Sequence, residues 1–162
     1  MTVGRRTVVV DPARSQVREL DPETGELCDD TCVGGAGHRL FAGGSPTRDV
    51  VYFTDGQAGS LLTSDLGDRS CAGFVQVSAA NSDLGAPVEA AGHVFIANRS
   101  DKTVVIVNPI TGRKITAPVN VVPGEPFDLF TRSGIVWYNQ PKTERAGVIC
   151  LDGTTMEARK YD

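Results

Sequence analysis

The stretch VFIANRSDKTVVIVNPITGRKI, running from Val94 to Ile115, decides the fold. A short apolar run ends on Asn98, five polar residues follow, and a second apolar run at 104–107 ends on Asn108. Each run is too short for a helix, is rich in β-branched residues and is bounded by turn formers, so the stretch reads as a β-hairpin. The Asn-Pro-x-Thr-Gly that follows is a turn. Proline presets φ near about −65°, the Asn side chain bonds the backbone beyond it, and Gly accepts a positive φ.

Working outward, the same pattern recurs three times: VVVDPARSQVRELDPETGEL from Val8, VYFTDGQAGSLLTSDLGD from Val51 and IVWYNQPKTERAGVICLDGT from Ile135. The first Asp or Asn of the four copies falls at Asp11, Asp55, Asn98 and Asn139. The second falls at Asp21, Asp65, Asn108 and Asp152, with gaps of 44, 43 and 44 residues. Two interleaved series with nearly one period make an internal repeat of about 43 residues, the signature of a repeat architecture. After each hairpin comes a polar strand, and a short strand leads into the next hairpin, at 39–42, 87–90 and 127–131. Four antiparallel strands per repeat is the blade of a β-propeller. The fold class expected is all-β, one propeller-like domain over residues 1–162, with repeats at about 1–37, 38–83, 84–125 and 126–162. The strand count comes to about fifteen, because the first repeat offers no obvious first strand. The continuous apolar runs 104–107 and 148–151 read as strands covered on both faces, whereas 17–20 carries Arg18 and Glu19 and reads as wet on one face. These features together lead to the expectation of an open or partial propeller.

The stretch from Val94, preceded by Gly-His and followed by PVNVVPGEPFDLFTRSGIVWYN, resembles the YVTN- and NHL-like families of bacterial propeller repeats. That resemblance covers nearly the whole chain, is closest in the third and fourth repeats, and implies a fold rather than an activity. The Asp-x-x-Thr-Gly turn is also similar to quinoprotein blades, but the tryptophan those repeats carry after Thr-Gly is absent here, so no quinone site follows.

A net charge of −4 with no basic run sets nucleic acid and anionic membranes aside as partners. No apolar run approaches the roughly 20 residues of a membrane span, so no membrane insertion is expected. The first residues, MTVGRRTVVVDP, hold only three consecutive apolar residues, too few for a secretory leader. The reading is a cytoplasmic protein, or a secreted or surface one if Met1 is not the native start. Four cysteines leave the compartment open. Cys28 and Cys32 form a C-x3-C pair and a candidate disulfide, while Cys71 and Cys150 stand alone.

Chemistry-bearing patterns are sparse. A nucleophilic triad needs a histidine base, and the chain offers His38, in a Gly-rich connection, and His93, at a strand start. A zinc site from Cys28, Cys32, His38 and Cys71 can be drawn, but its spacing is only loosely finger-like. The glycines at 34, 35, 37, 43 and 44 match no phosphate-binding pattern. Asn98-Arg99-Ser100 is an acceptor sequon, and Asp29-Asp30 and residues 65–68 resemble no calcium loop. Cys150 reads as a small buried hydrophobe at the position of Ile106, and of Trp137 and Tyr138 one packs inward. No catalytic, cofactor or metal residue is assigned, and Asp21, Asp65, Asn108 and Asp152 are read as structural turn residues. The function expected is a non-catalytic binding or interaction module for a protein or glycan ligand. The alternatives are a lactonase- or lyase-type propeller enzyme, or a fragment of a larger propeller. Self-association, or completion by further blades, is expected of the last repeat, whose strands are apolar on both faces. Replacing Asn108 by Ala should lower stability by roughly 0.5–2 kcal/mol, the scale of a lost local side chain to backbone bond. Thermal denaturation reads the change; an unaltered melting temperature would remove Asn108 from the turn.

Overall fold

In the computed structural model residues 1–11, 13–34 and 37–160 are described, without the side chains at positions 29, 30, 32, 71 and 72. The structure is all-β: sixteen strands among these residues form four antiparallel four-stranded sheets. The first sheet is β1 (Thr2–Val3), β2 (Arg6–Asp11), β3 (Gln16–Leu20) and β4 (Leu27–Cys32). The second is β5 (Leu40–Gly44), β6 (Val50–Asp55), β7 (Ser60–Asp65) and β8 (Ser70–Gln76). The third is β9 (Val88–Ala90), β10 (His93–Asn98), β11 (Thr103–Val107) and β12 (Lys114–Pro118). The fourth is β13 (Asp128–Arg132), β14 (Ile135–Asn139), β15 (Arg145–Ile149) and β16 (Thr155–Arg159). Every sheet is a simple meander, and the middle pairs β2–β3, β6–β7, β10–β11 and β14–β15 are the hairpins read from the repeat. The chain divides into two compact units, Met1–Asn81 with the first two sheets and Ser82–Asp162 with the last two.

The expectation of a missing first strand is corrected. Thr2 and Val3 pair with Thr7 and Arg6 to form β1. Two residues are too few to show alternation, so nothing in composition marks them as a strand; Val3 is nonetheless fully buried.

In the N-terminal unit Val3, Val8 and Val17 of the first sheet pack with Val51 and Phe53 of the second. Arg6 ties the sheets at their edge, with Nη1 2.7 Å from Glu19 and Nε 2.9 Å from Asp49. In the C-terminal unit Phe95, Ala97, Val104 and Ile106 pack with Val136, Tyr138 and Ile149. Tyr138 lies opposite Gly147 in the β14–β15 pair. A Cβ at Gly147 would sit 2.5 Å from Tyr138 Cε1 and closer still to the Met156 carbonyl. The missing side chain is therefore the space the ring occupies. Burial pushes the Tyr138 phenol above its ordinary pKa, with the Glu157 charge adding to the effect.

The turns are built alike. Asp21 Oδ1 accepts from the N–H groups of Glu23 and Thr24, and Asn108 Oδ1 from those of Ile110 and Thr111. In both turns a 4-residue closure follows, with the N–H of Gly25 or Gly112 donating to the Asp21 or Asn108 carbonyl, and each glycine has positive φ. Asp65 Oδ1 accepts from Gly67 and Asp68. The backbone donors at Glu23 and Thr24 hold the Asp21 carboxyl below its ordinary pKa; the Thr154 hydroxyl, then its N–H, does the same to Asp152. In the fourth sheet the series shifts. The Cys150 N–H donates to the Thr154 carbonyl, as Asn108 N–H does to Arg113, so Cys150 takes the place of Asn108 and Asp152 sits inside the turn. Cys150 thus stands after β15, not at the position of Ile106.

Gln140, not Asn139, takes the place of Asn98. Gln140 N–H donates to the Arg145 carbonyl at the end of β14–β15, and its fully buried side chain accepts from Val122 N–H and donates to the Val122 and Glu125 carbonyls, each at 2.8 Å. Arg99 plays a similar part after β10, donating to the Phe127 carbonyl and pairing with Asp83 and Asp128. Gly147→Ala should cost about 1–3 kcal/mol, because the added methyl overpacks a site bounded by the Tyr138 ring and the Met156 carbonyl. Chemical denaturation measures it; a neutral result would mean that the ring and the β16 backbone both move aside at little cost.

Candidate functional site

In the C-terminal unit the tight turns of the third and fourth sheets frame a cleft. One part, of about 300 Å³, is lined by His93, Ile106, Asn108, Arg113, Lys114 and Leu151 among others. A second part, of about 310 Å³, is walled by Ala90, Phe95, Ile135, Val136, Ile149 and Leu151 with their neighbours. Leu151 lines both. The floor is apolar because it borders the core: Phe95, Val136 and Ile149 belong to the buried cluster between the sheets. The rim is polar, since it is made of turn residues. The free thiol of Cys150 also lines the second part. An apolar trough with a few polar groups at its mouth is the usual chemistry of a small-molecule site.

A larger hollow of about 500 Å³ in the same unit is lined by Thr143, Arg145, Glu157, Arg159 and Lys160. Several of its charges are already committed. Lys160 Nζ donates to the carbonyls of Gln140 and Thr143 at 2.6 Å, and Arg145 lies 3.7 Å from Glu157. It serves to close the β14–β15 turn.

In the N-terminal unit His38 and Asp55 are brought together from 17 positions apart: Nδ1 lies 2.6 Å from Asp55 Oδ2. Asp55 ends β6 and is 2% exposed, while the His38 side chain is 39% exposed. The repeat explains the carboxylate. Asp11, Asp55 and Asn98 each accept the backbone N–H three residues on, from Arg14, Ala58 and Asp101. Asp55 uses Oδ1 for this and has Oδ2 left to hold the imidazole, which fixes the ring by its Nδ1 edge. Sequence reading gave His38 no role. The signal was the repeat itself, which puts a carboxylate where the connection before β5 passes.

His93 stands at the mouth of the cleft, with Nδ1 3.1 Å from the Ala91 carbonyl. The sequon asparagine is closed to modification: Asn98 is 2% exposed and its Nδ2 donates to Asp101. Trp137 is half-buried and stacks on Phe130, with ring centroids 6.4 Å apart, while Tyr138 is the inward ring. Cys28 carries no disulfide. It shares β4 with Cys32, and four residues of extended strand separate Cα atoms by about 13 Å, about twice a disulfide's span. The side chains of Cys32, Cys71, Asp29 and Asp30 lie outside the described residues, and with them the drawn zinc arrangement.

No protein-family model and no curated protein matches the chain. Solved structures do. Virginiamycin B lyase from Staphylococcus aureus superposes with a TM-score of 0.76 at 9% identity, over 98% of this chain and 54% of that one. A streptogramin B lyase gives 0.74 at 10% identity, over 96% and 55%. Hydrazine synthase of Kuenenia stuttgartiensis gives 0.70 at 10% identity, over 95% and 45%. The chain therefore spans about half the length of these proteins. At such identity the likeness establishes the fold, that of propeller blades, and nothing finer.

Proposed function

We propose that this chain is a binding module of the propeller type, built on repeats akin to the YVTN- and NHL-like ones, which takes an apolar ligand in the turn-end cleft of its C-terminal unit. The observation that carries this reading is the apolar floor of Phe95, Val136 and Ile149 continued outward by Leu151, which is 45% exposed. Arg113 and His93 at the rim favour a ligand with an anionic or hydrogen-bond-accepting end. An anilinonaphthalene sulfonate has both parts and reports by fluorescence. Saturable binding to the 162-residue chain is expected, weakened about tenfold or more by Leu151→Asp and unchanged by Phe74→Asp, which is exposed in the other unit. Equal binding to the two variants would place the dye elsewhere and sink the reading.

A second reading, a lyase-type enzyme, is favoured by the His38–Asp55 pair. A buried carboxylate holding a half-exposed imidazole is the arrangement of a general base and its orienting acid. Propellers of this fold include streptogramin B lyase. Incubation with a streptogramin B tests it. Cleavage that disappears in His38→Ala would favour the enzyme, and no cleavage would leave the binding module.

A further inference from the structure

The fourth sheet repeats the third position by position once Gln140 is matched to Asn98. In the third sheet one face carries the cross-strand ladder Val88–Phe95–Ile106–Ile115. Phe95 and Ile106 are 2% and 1% exposed, because the fourth sheet lies on them with Val136, Tyr138 and Ile149. The corresponding ladder of the fourth sheet is Phe130–Trp137–Val148–Met156. It is equally apolar and has larger rings, yet Phe130 is 45% and Met156 58% exposed. Ile115, at the edge of the third-sheet ladder, is 41% exposed too, so the difference lies in the middle pair, which is sealed in the third sheet and half open in the fourth.

The same correspondence says what shape fits it. The residues of the first sheet that match Val136, Tyr138 and Ile149 are Thr7, Val9 and Leu20. They occupy the face of the first sheet turned away from its contact with the second. That face is also open, with an apolar strip flanked by Thr2, Thr7 and Arg18: Val9 is 46% exposed, and Leu27, paired with Leu20, is 39% exposed. Sizes compensate, since Trp137 exceeds Phe95 while Val9 is smaller than Tyr138. Arg18, opposite Val9, holds the position that Gly147 occupies in the fourth sheet. Its guanidinium donates to the Cys28 and Leu27 carbonyls, and held there it would present its flat face to the Phe130–Trp137 stack.

We infer that a second copy of this chain covers the open ladder, the first sheet of one copy seating on the fourth sheet of the other as the fourth seats on the third. The contact is between unlike faces, and reciprocal pairing closes it as a dimer, whereas unreciprocated pairing continues head to tail. The open ladder borders the proposed ligand cleft, since Val148 and Met156 belong to both, but Val9 and Phe130, the positions that separate the two readings, do not line it.

Sedimentation of the 162-residue chain tests it. The expected result is a dimer, or a longer head-to-tail series, whose association is weakened at least about tenfold by Phe130→Asp on one face and equally by Val9→Asp on the other. Both positions are about half exposed, so the charges leave the cores intact, and circular dichroism verifies this. Mixing the two variants should restore one good junction and a mixed dimer. A monomeric wild-type chain overturns the inference. So does a dimer lost with Phe130→Asp but kept with Val9→Asp, which would mean that two fourth sheets meet face to face.

Discussion

A four-stranded sheet with apolar side chains on both faces is not stable by itself; each face needs another sheet. That requirement organises both units. Val8 and Val17 meet Val51 and Phe53 in one, and Phe95 and Ile106 meet Val136, Tyr138 and Ile149 in the other. Each such side chain contributes roughly 1.5–3 kcal/mol when covered, so a handful of them outweighs any single turn or ion pair. The fit is specific as well as apolar: the Tyr138 ring occupies the volume that a side chain at position 147 would fill.

Covering the faces leaves the strand ends to be tied by polar groups. Where the backbone of a connection must be buried, a side chain satisfies it. Gln140 does so for Val122 and Glu125, and Arg99 for Phe127. These clamps hold the connections between sheets at one end. At the opposite end the tight Asx turns use only their own residues and leave room between neighbouring sheets. The cleft lies at that end. The core of a regular repeat is constrained everywhere, so a ligand site is most easily made where the turns differ. Leu151 and Cys150 occupy the β15–β16 turn, which departs from the Asn-Pro-x-Thr-Gly pattern of the β11–β12 turn.

The hairpins were legible because each strand run is short, apolar and closed by Asp or Asn, so that periodicity and turn chemistry agree. The errors fell where that agreement lapses. β1 has two residues and cannot show a pattern. In the fourth repeat Asn139 and Asp152 keep the spacing of the series, but the hydrogen bonds select Gln140 and Cys150. An amide one methylene longer serves the same turn and reaches across to Val122 as well. Spacing alone cannot tell which of two adjacent polar residues faces inward.

By itself the sequence determined the all-β class, the fourfold repeat, the four hairpins and the polar turns between them, because strand periodicity and turn residues are local properties. Tertiary structure alone decided which faces are covered and which side chains meet. His38 lies in the connection before β5 and Asp55 at the end of β6, and they become a pair only when β5 lies beside β6. Phe95 and Trp137 are equivalent in sequence, yet one is sealed and the other half open. The difference lies in what packs against each sheet, and packing between distant segments is not written in the local pattern of either one.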